Sequence, residues 1–363
     1  LIRRQRQMCI RDSVWNDPYS WRHPREATFE PEELAFSDKD FPHFKNNGVY
    51  FMAYFNGGWI LMSSCFEWEY GPLEGYGAYA LVSEPDGTRH FAKHKMSREV
   101  IVKKPGKLYL KGDKILVEGM GMEYRVRYDF DGFFCDLTYK NILNPWKPGD
   151  GWTFLTPGRD VFNHYLVNSP WAEVTGAMKV GGKTLDVEGQ GYSDRSLSAL
   201  PLTKQNTYLY AWRTFSPEGA PRKERWFCGL LESVSHEKFG STRIPMLQIA
   251  HGAEWVLTTM NYTLTPATWV KKPDVPYEYP TIIKVCSNDQ GYRFRGKFIC
   301  RELFDFTDIF SELPDWLRKM AEKFLDRPVF FRSKGELHGA ITCPDGHSET
   351  FRLEGAVEYM VVK

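Results

Sequence analysis

Val49-Tyr50-Phe51-Met52-Ala53-Tyr54-Phe55, followed by Asn56-Gly57-Gly58 and the run from Trp59 to Tyr70, decides how the rest of the chain reads. β-Branched and aromatic residues suit a pleated strand, and a short Gly-containing loop between two such runs closes a hairpin. The same pattern recurs downstream. Tyr76–Val82 leads through Pro85-Asp86-Gly87 into Arg89–Lys95, and Lys107–Leu110 and Ile115–Glu118 flank Lys111-Gly112-Asp113. Tyr124–Phe130 and Phe133–Tyr139 flank Asp131-Gly132, and Val174–Val180 and Thr184–Val187 flank Gly181-Gly182. After a break the pattern resumes with Thr207–Phe215, Arg225–Val234, Met246–Ile249, Glu254–Leu264, Thr281–Cys286 with Tyr292–Cys300, and Leu337–Cys343 with Thr350–Val362. Many short strands joined by tight turns indicate barrels or sandwiches. No short fixed period of a propeller or solenoid is visible.

At 363 residues the chain is too long for one ordinary core, so two domains are expected. The joint falls in Leu200-Pro201-Leu202-Thr203-Lys204-Gln205-Asn206, giving domains 14–203 and 204–363. Aromatic residues make up 15% of the sequence, an excess that suits strands and fills barrel interiors. The reading is a mostly β chain: two tandem antiparallel barrels, with one amphipathic helix in the second half. That helix is marked by Leu313, Trp316, Leu317, Met320 and Phe324, with Pro314 in its first turn and Pro328 past its end. Its polar face mixes Arg318, Lys319, Glu322 and Lys323, which suits a lid or brace on a barrel better than a membrane anchor.

The formal net charge is +1 with the signs interleaved, and no basic stripe points to nucleic acid. No stretch approaches the roughly 20 apolar residues of a membrane-spanning helix, and transient membrane contact is left open. The N-terminus shows no apolar signal-peptide core, so a cytoplasmic location is expected. Arg4 to Ser13 resembles a translated sequencing-library adapter of the kind found in metagenomic assemblies, so residues 1–13 are set aside as non-native; a genuine basic arm is the other reading. This segment holds four arginines against one aspartate, and without it the faint basic balance disappears. The six remaining cysteines are widely spaced with no Cys-x-x-Cys, which reads as buried free thiols rather than a zinc or redox site. Neither a cofactor nor a metal is implied. The Walker loop, His-Glu-x-x-His and Gly-x-Ser-x-Gly signatures are missing, and Gly189-Gln190-Gly191 lacks the later glycine and βαβ context of a dinucleotide site.

The run from His164 to Phe215 remains. It contains His164-Tyr165, Ser169-Pro170-Trp171-Ala172-Glu173-Val174, Gly189-Gln190-Gly191-Tyr192-Ser193-Asp194-Arg195-Ser196 and Tyr210-Ala211-Trp212-Arg213. This segment resembles the double lipocalin-like group of carotenoid 1,2-hydratase (hydroxyneurosporene synthase), AttH-like proteins and fungal survival-factor lipid-handling proteins. In that group a Gly-x-Gly-x-x-Asp strand closes the first barrel and a Trp-rich strand opens the second. The resemblance implies two lipocalin-like barrels over residues 40–363 and places function on Asp194, Tyr192 and His164. Trp212, Trp171 and Arg195 are the substrate-binding candidates. The chain departs from the pattern at Leu197-Ser198, where many AttH-like relatives have Trp-Gly, and at Leu166, where the hydratases have an aromatic.

Tyr192 and Asp194 stand at i and i+2, so on a strand both point to one face. A carboxyl kept neutral by desolvation can protonate an isolated alkene, and rings such as Tyr192 and Trp212 would stabilise the carbocation. Each residue also has a structural reading. Asp194 and Arg195 would be an ion pair at a strand end, His164 a loop histidine, and Tyr192 and Trp212 core rings. Phe66-Glu67-Trp68-Glu69-Tyr70 is a second constellation, with the acids roughly 7 Å apart on one face and the rings on the other. It reads as a solvent-facing acidic edge opposite buried aromatics, the other reading being a pair of acids at a barrel mouth. The function expected is a cofactor-independent hydratase, isomerase or cyclase acting on an apolar small molecule, isoprenoid or lipid. The alternative is a non-catalytic lipid or terpenoid carrier.

Overall fold

The computed structural model describes residues 31–36, 44–70, 73–130, 132–148, 151–156, 158–200, 205–241, 243–272, 277–308 and 327–362. The chain divides into two compact units, Leu1–Pro201 and Leu202–Lys363. The expected helix at 313–324, the joint at 201–204 and the adapter-like segment lie outside the described residues.

The first unit opens with the short helix α1 (Pro31–Leu34). Its strands are β1 (Phe44–Phe55), β2 (Trp59–Tyr70), β3 (Leu73–Ser83), β4 (Arg89–Met96), β5 (Val102–Lys103), β6 (Leu108–Lys111), β7 (Ile115–Met120), β8 (Glu123–Phe130), β9 (Phe133–Asn141), β10 (Trp152–Phe154), β11 (Phe162–Val180) and β12 (Lys183–Ser198). They form one antiparallel sheet ordered β4-β3-β2-β1-β12-β11-β9-β8-β7-β6-β5, with β10 on β11. The sheet curls on itself: Phe51 of β1 meets Tyr139 of β9 at 5.2 Å, and His94 of β4 stacks on Phe130 of β8 at 5.6 Å.

The second unit repeats the plan with β13 (Asn206–Phe215), β14 (Trp226–Ser235), β15 (Arg243–His251), β16 (Glu254–Thr259), β17 (Tyr262–Lys271), β18 (Glu278–Asp289), β19 (Tyr292–Asp308), β20 (Pro328–Thr342) and β21 (Ser348–Val362). Their order is β16-β15-β14-β13-β21-β20-β19-β18-β17. In both units the first strand pairs with the last, which gives each sheet its barrel-like closure around a separate apolar core. The two closing strands share a detail. A Cβ on Gly189 of β12 would strike the Tyr54 carbonyl of β1, and one on Gly355 of β21 would strike the Arg213 carbonyl of β13. Only glycine permits so close a backbone approach.

Alternation sets the inner face. In β8, Tyr124, Val126, Tyr128 and Phe130 are buried while Glu123, Arg125, Arg127 and Asp129 face out. Arg125 there makes a two-pronged contact with Asp136 of β9 at 2.8 and 2.7 Å. The first half of β11 and the last part of β12 are buried on both faces, so alternation is lost where the candidate residues lie. Cys65, Cys135, Cys228, Cys286, Cys300 and Cys343 are free, and burial pushes the Cys135 and Cys228 thiols up to about 12, away from nucleophilic use. Among the described residues no helix is long and apolar enough to cross a membrane.

Candidate functional site

Residues directly opposite in an antiparallel pair share a face, so the β1–β12 register sorts the motif. Val49 faces Arg195, Phe51 faces Ser193, Ala53 faces Gly191 and Phe55 faces Gly189. Those β1 side chains belong to the core of the first unit, so Arg195 and Ser193 point inward. The alternate pairs, Tyr50 with Asp194 and Met52 with Tyr192, point to the face turned away from that core. In the β11–β12 ladder Tyr165 stands opposite Ser196, and His164 opposite Leu197. Tyr165 therefore shares the face of Tyr192 and Asp194, whereas His164 shares that of Arg195. The proposed trio does not converge: the sheet separates His164 from Tyr192 and Asp194.

On the outward face the phenols of Tyr165 and Tyr192 lie 2.6 Å apart, and Tyr165 donates to Asp194 Oδ2 at 3.0 Å. A phenol has one proton to give. With the Tyr165 proton on Asp194, Tyr192 donates to Tyr165, and the three groups form a directed chain from phenol to phenol to carboxylate. Tyr192 is fully buried and Asp194 half-buried. Trp171, also buried, donates its indole N–H to Gln190 Oε1 at 3.0 Å, two residues before Tyr192 on β12. Sequence reasoning missed Tyr165. Its partnership crosses strands through a ladder with irregularities between Leu166 and Ser169 and between Ser169 and Ala172, which no spacing rule reveals.

The inward face carries a different chemistry. Arg195 is 2% exposed; its Nη2 donates to the Ala35 carbonyl at 2.5 Å, and its guanidinium lies 5.6 Å over the Phe36 ring. Its Nε is buried without a partner. Burial pulls the guanidinium down to about 10, with Glu67 and Glu33 opposing the shift. Asp194 and Arg195 are thus not the ion pair that adjacency suggests, because neighbours on a strand point apart.

His164 is buried within β11 rather than in a loop, and its ring stacks on Trp152 at 4.2 Å. Burial holds its pKa below the usual histidine value, against the opposing influence of Glu33, whose Oε1 lies 3.8 Å from Nε2. Lys147 donates to both Glu33 oxygens at 2.7 Å.

Glu67 corrects a second expectation. It is 1% exposed on the inner face, where it pairs with Lys45 at 3.0 Å, accepts from Asn47 Nδ2 at 2.7 Å and pairs with Lys103. Lys45 also reaches Glu69 at 3.5 Å. The partly exposed side chains Phe66 and Trp68 take the opposite face, so the acidic edge is turned inward and the rings outward. Alternation shows which residues share a face, but not which face is the inside; here Lys45 of the adjacent β1 and Lys103 of β5 neutralise the buried acid. Trp212 lies in the core of the second unit, stacked on Phe298 at 5.7 Å. Among the described residues no group of three or more His, Cys, Asp or Glu could hold a metal ion.

No family profile and no curated protein matches the chain by sequence. Solved structures do match in fold. An AttH-like protein of Nitrosomonas europaea aligns over 93% of this chain and 97% of its own at 14% identity, with a TM-score of 0.59. CghA aligns over 93% and 94% at 12% identity, with a TM-score of 0.62, and has also been solved with Sch210972. The kievitone hydratase of Nectria haematococca aligns over 88% and 89% at 13% identity, with a TM-score of 0.55. The chain thus has a lipocalin-like double-sheet fold in common with them.

Proposed function

We propose that this protein is a hydratase-type enzyme that adds water across an alkene of an apolar, isoprenoid-like substrate by acid-catalysed proton transfer. The observation that carries the reading is the chain Tyr192–Tyr165–Asp194. With Asp194 in its acid form, the carboxyl passes its proton to Tyr165, Tyr165 passes its own to Tyr192, and Tyr192 delivers one to the alkene carbon. A C–H bond forms and the positive charge falls on the neighbouring carbon. Water adds there, and the proton it sheds returns along the chain to the carboxylate. Each phenol gives one proton and takes one, so the relay is restored at the end of the cycle. A hydratase among the proteins of similar fold supports the class of reaction. His164 has no place in this relay, because it lies on the other face.

The test is turnover of a panel of prenyl-bearing compounds in deuterated water, with deuterium read at the new C–H bond. Tyr165→Phe and Asp194→Asn are expected to lower kcat by about 100-fold or more while leaving the melting temperature near that of the wild type. Full turnover in both variants would overturn the relay, and binding without turnover of any compound by the wild type would leave a non-catalytic carrier of apolar molecules in its place.

A further inference from the structure

We propose that the inner face of the first barrel, where β1, β2, β11 and β12 carry Asn47, Glu67, His164 and Arg195, binds the carboxylate of an otherwise apolar ligand, with Arg195 as its counter-charge. This site is separate from the relay and does not depend on it.

Arg195 is a buried cation, and among the described residues no carboxylate oxygen lies within salt-bridge distance of its guanidinium. Glu67 is already held by Lys45 and Lys103, and Glu33 by Lys147. Among the described residues Arg195 meets a carbonyl oxygen and a ring face, and neither neutralises it; Glu67 and Glu33 act on it only from beyond salt-bridge distance. A desolvated charge is costly unless paired, and guanidinium presents a planar fork matched to a carboxylate.

The surroundings are unfinished in the same way. Nε of Arg195 and Oδ1 of Asn47 are buried without a hydrogen-bond partner, and Nε2 of His164 is buried with Glu33 Oε1 3.8 Å away, beyond hydrogen-bond distance. The groups are a cationic donor, an amide acceptor and an imidazole nitrogen, a set that suits an anion with a hydroxyl or water beside it. Further along the same interior, the hydroxyls of Tyr124 and Tyr139 are also buried and unpartnered, and those of Ser63 and Tyr128 are buried with one another. They are set among Phe51, Phe55, Val117, Val126 and Leu137. An apolar body bearing one or two oxygens would meet both the aromatic wall and these hydroxyls.

The test is fluorescence titration with parinaric acid, a polyene fatty acid, and with its methyl ester, which has the same body and no charge. The wild type is expected to bind the acid about 10- to 100-fold more tightly than the ester. Arg195→Met should abolish that preference while retaining ester binding, and Arg195→Lys should keep part of it. Near-ultraviolet circular dichroism confirms native packing. If Arg195→Met does not fold, the acid–ester ratio of the wild type and of Arg195→Lys still decides the matter. Equal affinity for acid and ester, no binding of either, or a preference that survives Arg195→Met would overturn the proposal. Since binding is read and not turnover, failure here leaves the relay untouched.

Discussion

The two barrel interiors share a topology and differ in chemistry. The second is lined by stacked rings, among them Trp212 on Phe298, Trp226 on Phe351 and Tyr210 on Tyr359, and its buried apolar cluster is continuous. The first keeps Lys45, Glu67, His164 and Arg195 at one end and the unpartnered phenols of Tyr124 and Tyr139 further along. Both sheets close first strand on last and require glycine at that seam, so the closure does not explain the difference. Buried ion pairs rarely stabilise better than apolar packing of equal volume. The second interior also holds an ion pair, the buried Glu232 with Arg243. The contrast is therefore one of degree: the first gathers Lys45, Glu67, His164 and Arg195 together, costly polar groups of the kind that hold a ligand.

The sharpest way to break this comparison is Glu67→Leu. Losing the carboxylate leaves Lys45 and Lys103 facing an apolar wall, and an expected loss of about 3–5 kcal/mol would appear in denaturant unfolding. A cost below about 1 kcal/mol would mean that the polar end is as replaceable as any position in the second interior. The shared seam gives a smaller effect. Gly189→Ala and Gly355→Ala should each destabilise by about 1–3 kcal/mol, because the new Cβ forces two backbones apart. Similar values in both units would confirm that the seam is common to them; a cost in one alone would undo the equivalence of the seams.

The smallest effect concerns pH. His164 titrates below the ordinary histidine value in the folded chain, so the unfolded chain binds more protons between that lowered pKa and about 6.5. Stability contributed by keeping this ring neutral is present above that window and is lost as pH falls through it. His164→Gln should flatten the decline in melting temperature between about pH 7 and 5. An unchanged slope would show that other groups set it.

Much of the fold was legible in local sequence. The Asn56-Gly57-Gly58 hairpin joins β1 and β2 as read, with Phe55 opposite Trp59. The i, i+2 spacing rightly put Tyr192 and Asp194 on one face. Burial on both faces erased the alternation that would have oriented β11 and β12, which is why His164 was grouped with residues across the sheet. On β2 the alternation held, but it does not tell which face is the inside, and Glu67 was turned the wrong way. Sequence by itself determined the strands, their turns and which neighbours share a face, because a strand's period of two is a local property of the backbone. Only the tertiary structure decided that Tyr165 bridges Tyr192 and Asp194, and that Arg195 is buried with no acid within salt-bridge distance among the described residues. Those facts depend on register between strands distant in sequence, and on which face the curling sheet encloses.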